Sequence, residues 1–128
     1  MSKSVLILDD SIALRKLIRY SVNRVYKNLE YHEASNGQEG LDILRSGVTV
    51  DVIISDINMP VMDGIAFLKE KMKDPVMREI PTIVLSKKDK SDLMLTVEQY
   101  GIVEYLPKPF NVSKMKEVLM KILEDKNR

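Results

Sequence analysis

The chain alternates short apolar runs with longer segments in which apolar residues recur every three or four positions. The short runs predict strands and the longer segments predict helices. Strands are predicted at 5–8, 31–34, 52–55, 81–85 and 103–106, and helices at 14–25, 37–46, 64–74, 91–100 and 112–123. The central strands do not alternate apolar and polar residues, as expected for a sheet covered on both faces. We therefore predict an α/β fold, a doubly wound (βα)5 sheet of five parallel strands.

Several predicted strands end in a polar residue that could carry chemistry. Asp9 and Asp10 follow the first strand, Asp56 follows the third, Ser86 the fourth and Lys108 the fifth. Sites in such folds form beyond the carboxyl ends of the strands, so these side chains should share one edge. Three crowded carboxylates repel one another unless a cation neutralises them, and oxygen ligands suit a hard ion such as Mg²⁺.

Each of these residues also has an ordinary structural explanation. Asp9 and Asp10 precede a helix and could cap it. Asp56 alone is more often a loop carboxylate, and Ser86 alone is usually a turn or cap residue. Only their joint occurrence at strand ends favours a functional site over capping.

The composition describes an ordinary globular protein. The 128 residues, with 45% hydrophobic and 30% charged side chains, predict one domain over 1–128 with no second, output domain. A formal net charge of +1 argues against bulk attraction to nucleic acid or to a membrane surface. The chain has no cysteine, which excludes disulfides and thiolate metal sites. With no signal peptide and no apolar run of about 18 residues, we expect a cytoplasmic protein.

The motifs at these strand ends resemble those of one protein family. In order and spacing, the sequence resembles the receiver domain of bacterial and archaeal two-component response regulators, and the resemblance covers essentially the whole chain. It suggests a stand-alone, chemotaxis-type receiver and implies the strand order 2-1-3-4-5. The motifs that carry it are Leu8-Asp9-Asp10-Ser11, Ser55-Asp56-Ile57-Asn58-Met59-Pro60, Asp63-Gly64, Ser86 and Tyr105-Leu106-Pro107-Lys108-Pro109-Phe110.

The resemblance implies that Asp56 is the phospho-acceptor. Its carboxylate would take a phosphoryl group from the phosphohistidine of a histidine kinase and become an acyl phosphate. Lys108 and Ser86 would contact the phosphoryl oxygens. Such a protein is a phospho-acceptor rather than an enzyme, and at most catalyses its own phosphorylation and dephosphorylation. The Lys108–Pro109 bond is a candidate cis peptide.

The resemblance also implies a Mg²⁺ or Mn²⁺ site. Asp10 and Asp56 would bind the ion directly, together with the backbone carbonyl of Asn58, and Asp9 would act through a coordinated water. The ion would clamp a phosphoryl oxygen and offset charge during the transfer.

The implied output is a conformational switch built on Ser86 and Tyr105. Ser86 would be drawn toward the phosphoryl group, and Tyr105 would turn inward to fill the space behind it. The face formed by the predicted fourth helix, the fifth strand and the last helix would then change shape for a protein partner. The protein would be a monomer or a phosphorylation-dependent dimer, without direct nucleic-acid or membrane binding.

Two positions depart from the family pattern. The residue after Ser86 is usually small but is Lys87 here, and a small residue is also common where Ile102 stands. A long side chain beside the pocket could change the rates of phosphoryl exchange. Lys87, Lys88 and Asn58 are therefore candidates for tuning those rates.

Other functions stay open at the level of the sequence. A receiver could pass its phosphoryl group to a second histidine in a relay, or could be degenerate and never accept one. A haloacid dehalogenase-type Mg²⁺ phosphatase also uses an aspartate at a strand end, but needs a second one where Asn58 stands. A flavodoxin-like protein shares the fold, but Asp9 and Asp10 would repel a flavin phosphate.

Overall fold

A computed structural model describes residues 3–87 and 102–124, with the side chains of 102 and 103 left out. Its five strands form one parallel sheet in the order β2-β1-β3-β4-β5. The predicted fold class and the strand order implied by the resemblance are both confirmed. The strands are β1 (Lys3–Leu8), β2 (Leu29–Ala34), β3 (Val52–Asp56), β4 (Thr82–Ser86) and β5 (Ile102–Pro107).

Four α-helices occur within the described residues, and they lie on both faces of the sheet. The predicted fourth helix, at 91–100, lies outside the described residues. A short 3₁₀ helix, Met77–Glu79, precedes β4 and was not predicted. The α-helices are α1 (Ile12–Val25), α2 (Gly37–Arg45), α3 (Gly64–Met72) and the C-terminal helix (Val112–Glu124).

The hydrophobic core consists of two clusters separated by the sheet. Alternate residues of β1 point to opposite faces, so Leu6 and Leu8 belong to the cluster beneath α2 and α3, while Val5 and Ile7 belong to the cluster beneath α1 and the C-terminal helix. Burial on both faces explains why the central strands β1, β3 and β4 read as nearly continuous apolar runs. None of the described helices combines the length and apolarity that a membrane span needs.

Side-chain caps fix where three helices begin. Asn36 and Asp63 cap α2 and α3 by accepting hydrogen bonds from Glu39 N and Ala66 N. The cap of α1 is Ser11, whose Oγ accepts from the backbone N–H three residues ahead at 3.1 Å. Because Ser11 caps α1, the carboxylates that precede it are not needed for capping.

Candidate functional site

The carboxyl ends of β1, β3 and β5 bring three charged side chains together. Asp9 follows β1 and is 1% exposed, and Asp56 is the buried last residue of β3. The Lys108 Nζ lies 3.0 Å from Asp56 Oδ1 and 3.3 Å from Asp9 Oδ2. The ammonium group therefore bridges two buried carboxylates that would otherwise repel each other.

A third carboxylate completes an acidic cluster at the same edge. One oxygen from each of Asp9, Asp10 and Asp56 lies within 4.8 Å of the other two. Asp10 is exposed, whereas the other two are buried. Three carboxylates against one nearby ammonium group leave an excess of negative charge, and all the ligand atoms are hard oxygens. The donor set fits a divalent cation such as Mg²⁺ or Mn²⁺.

Burial acts against the charge on Asp9. Loss of solvent raises the pKa of the Asp9 carboxyl above its ordinary value of 3.8, and the nearby Asp56 charge acts in the same direction. A hydrogen bond from Ser11 N at 2.9 Å and the Lys108 ammonium oppose that rise. Because the pKa of Asp9 is raised despite these two contacts, additional positive charge next to Asp9 would stabilise its ionised form.

The loop after β3 fixes the orientation of Asp56. Asp56 Oδ1 accepts a hydrogen bond from Ile57 N at 2.8 Å, and Gly64 N donates to Ile57 O at 2.8 Å. The backbone of Gly64 lies so close that a Cβ on it would collide with the Asp56 carbonyl oxygen. A side chain at residue 64 would displace the acidic residue. From the sequence, Gly64 was identified only as part of a family motif at the start of a predicted helix.

The acidic cluster lines a cavity of about 750 Å³. Asn58 and Lys87 are both exposed and line the same cavity, next to Asp56 and Lys108. Its remaining wall includes apolar side chains of α1 and the C-terminal helix, namely Leu14, Leu17 and Val112. The Lys108–Pro109 peptide bond at its edge is cis, as predicted. The predicted tuning residue Lys88 lies outside the described residues, as does the side chain of Ile102.

Ser86 and Tyr105 lie on adjacent strands behind the acidic cluster. Ser86 is buried at the end of β4, and its carbonyl accepts a hydrogen bond from Lys108 N at 3.0 Å. The buried Tyr105 ring directs its hydroxyl at the same carbonyl, with 3.4 Å between the oxygens. The ring thus already occupies the inward position that we expect to accompany phosphorylation.

One further side chain contacts the acidic loop and was not predicted. Arg15, in the second turn of α1, donates a hydrogen bond from Nη1 to the Asp9 carbonyl at 2.7 Å. It lies six residues beyond Asp9, one helical turn after the cap at Ser11. That spacing is the only sequence signal that points to it.

The comparisons with known proteins agree with this geometry. The response regulator receiver domain family matches residues 5–120. Chemotaxis protein CheY-3 of Vibrio cholerae is 31% identical over 120 residues, which cover 94% of this chain and 91% of that protein. The chain therefore belongs to the response regulator receiver domain family, whose members are signalling domains of two-component systems rather than classical enzymes.

Two solved structures are also similar to it. The chemotaxis response regulator CheY4 of V. cholerae superimposes with a TM-score of 0.83 at 29% identity, covering 95% of this chain and 99% of that one. The phosphorylated cyanobacterial phytochrome response regulator RcpA superimposes with a TM-score of 0.80 at 25% identity, covering 97% and 93%. Both agree with a single receiver fold of CheY type.

Proposed function

We propose that this chain is a single receiver domain that works as a phosphorylation-activated switch. Asp56 accepts a phosphoryl group from the phosphohistidine of a histidine kinase, and the modified domain regulates a protein partner. One observation carries the proposal: Asp56, Lys108 and two further acids converge at the mouth of a single cavity. CheY-3 and CheY4 are chemotaxis proteins, which supports a chemotaxis-type role, and RcpA is a phosphorylated regulator.

The contacts of Asp56 support a role as nucleophile. Both described partners of the Asp56 carboxylate, Ile57 N and Lys108 Nζ, engage Oδ1. Oδ2 carries none of the contacts described in the structure and is the oxygen we assign to the attack. Its lone pair forms the new O–P bond as the P–N bond of phosphohistidine breaks, and the imidazole keeps that electron pair and is protonated by solvent. The product is an acyl phosphate.

The surrounding residues would have two roles, to bind the cation and to contact the phosphoryl oxygens. Asp10, Asp56 and the Asn58 carbonyl would hold a divalent cation directly, with Asp9 acting through water. When bound, this ion offsets negative charge on the transferring group. Lys108 supplies a compact positive charge to a phosphoryl oxygen, and the Ser86 hydroxyl donates to another. Lys87, at the cavity wall, is close enough to influence the rates.

The output is proposed to run through Tyr105 to the surface of β5 and the C-terminal helix. Ser86 and Tyr105 share a hydrogen bond behind the acceptor, so a change at the acceptor has a short path to that surface. The proposed face continues into residues 88–101, which lie outside the described part of the chain.

Intact-mass spectrometry tests the acceptor. Incubation with acetyl phosphate and Mg²⁺ should add one phosphoryl group to the wild type and none to Asp56→Asn. Asp42→Asn, an exposed aspartate on α2, is the matched control and should load normally. A phosphoryl group that still appears on Asp56→Asn would place the acceptor elsewhere and refute the proposal.

A further inference from the structure

Arg15 connects two parts of the fold that are distant in sequence. Its Nη1 donates to the Asp9 carbonyl at 2.7 Å, while its Nε donates to Glu33 Oε1 at 3.0 Å on β2. The Arg15 side chain is 15% exposed; its contact with the Asp9 carbonyl is partly buried, whereas its contact with Glu33 is exposed to solvent. A guanidinium held on two sides is rigid, because its donors are fixed in one plane.

Glu33 is held in turn by a second arginine. Arg19, one turn further along α1, donates to Glu33 Oε2 at 3.1 Å and lies over the Tyr31 ring with 4.5 Å between the guanidinium carbon and the ring centroid. Arg19 itself has no described contact with the acidic loop. The two arginines thus share one carboxylate, but only Arg15 reaches the loop.

The Asp9 backbone is the point where this support acts. Asp9 N donates to Ala34 O at 3.0 Å, and Asp9 Oδ1 accepts from Ser11 N at 2.9 Å. The Arg15 contact holds the one remaining backbone group, the carbonyl. With all three held, Asp9 has little freedom to move away from Asp56, although the two carboxylates repel each other.

We propose that Arg15 is a positioning residue of the acidic site, which holds the loop of Asp9 and Asp10 against carboxylate repulsion, with Glu33 fixing its orientation. This inference rests on the proposed divalent-cation site. Partners that orient metal ligands typically change affinity by about 10–100-fold when they are removed.

The test compares Arg15→Ala with Arg19→Ala, which removes the same charge and also breaks a pairing with Glu33. Calorimetric titration with Mg²⁺ should show about tenfold weaker binding for Arg15→Ala and less than about twofold change for Arg19→Ala. A second readout needs no metal: hydrogen exchange of the Ser11 amide, which donates to Asp9, should be faster in Arg15→Ala alone. If Arg15→Ala does not fold, Arg15→Lys keeps the charge, loses the paired geometry and should show the same effects to a smaller degree.

Two results would overturn the inference. Equal Mg²⁺ affinity and equal Ser11 exchange in the two alanine variants would show that Arg15 does not position the loop. Tighter Mg²⁺ binding by Arg15→Ala would show that the guanidinium acts as a competing charge. A wild type that binds no divalent cation would refute the proposed metal site instead, and the metal-free exchange comparison would still decide the role of Arg15.

Discussion

Lys71 provides a test of the energetics of this fold that is independent of the acidic site. Its side chain is 0% exposed within α3, and its Nζ donates only a long hydrogen bond, 3.4 Å, to Arg78 O. Burial lowers the pKa of Lys71 from its ordinary value of 10.5 to about 8, while the Glu79 charge partly opposes that shift. The charged form is therefore penalised in the folded state.

The sign and size of the pH effect follow from that shift. In the unfolded chain Lys71 keeps its proton up to about pH 10.5, whereas the folded protein releases it near pH 8, so the unfolded state binds more protons in this range. Stability should therefore rise with pH. The penalty is fully present below pH 8 and amounts to about 3 kcal/mol, of which about 2 kcal/mol is recovered between pH 7 and 9.5.

Urea denaturation of wild type and Lys71→Met over pH 7 to 9.5 measures this contribution. The difference in unfolding free energy between the two proteins should change by about 2 kcal/mol across the range. The contributions of groups that titrate in both proteins cancel in this difference. The upper limit avoids ionisation of Tyr31, whose pKa is raised by burial. Lys73→Met is the control, since Lys73 is 71% exposed, and it should show no such change. A constant difference between wild type and Lys71→Met would mean that the ammonium group is solvated in solution, and the argument would fail.

Four further predictions concern the proposed site. Mg²⁺ binding, measured by calorimetry, should weaken more in Asp10→Ala than in Asp9→Ala, and equal affinities in these two variants and the wild type would refute the metal site. In metal-free protein, Asp9→Asn should melt at a higher temperature than the wild type, because it removes the buried charge. Lys87→Ala should change phosphoryl loading or decay by more than about twofold, roughly 0.4 kcal/mol, and smaller changes in both rates would show that Lys87 has no role in exchange. Tyr105→Ala should load phosphoryl at the wild-type rate but lose phosphorylation-dependent capture of its partner in pull-downs, and unchanged capture would exclude coupling through that ring.

The fold could be predicted from the sequence because the central strands β1, β3 and β4 are buried on both faces. Continuous apolar runs alternating with helical periodicity leave few other arrangements for a chain of this length. The pattern cannot order the strands, since neighbouring strands pair through backbone hydrogen bonds while the side chains point to the two faces of the sheet, and that order came from the family resemblance. Strand ends were displaced by one or two residues; β3, for example, extends to Asp56 itself.

The buried face of a helix was harder to predict where that face includes a charged residue. Met72 is only half-buried in α3, whereas the side chains of Phe67, Leu68 and Lys71 are buried. These three have the spacing of one helical face. Lysine was overlooked because it is almost never fully buried.

The candidate site was predictable to the extent that its residues lie at strand ends. Asp9, Asp56 and Lys108 converge because parallel strands present their carboxyl ends at one edge, which is a property of topology. Arg15 and Glu33 could not be predicted in the same way. They are 18 residues apart, they lie on a helix and on an edge strand, and each looks like an ordinary charged surface residue.

The hydrogen bonds around Lys108 offer a route from the acceptor to Tyr105. Lys108 Nζ pairs with Asp56 Oδ1, while its backbone N–H binds the Ser86 carbonyl, which also accepts from the Tyr105 hydroxyl. Phosphorylation would remove the negative charge of the Asp56 carboxylate and add the two negative charges of the phosphoryl group, which lies further from the backbone. The Lys108 ammonium group would move toward that charge. The backbone N–H of Lys108 is hydrogen-bonded to the Ser86 carbonyl, which also accepts from the Tyr105 hydroxyl. A change in local charge at Asp56 would thus reach a buried aromatic side chain through two neighbouring hydrogen bonds, without requiring a rearrangement of the sheet.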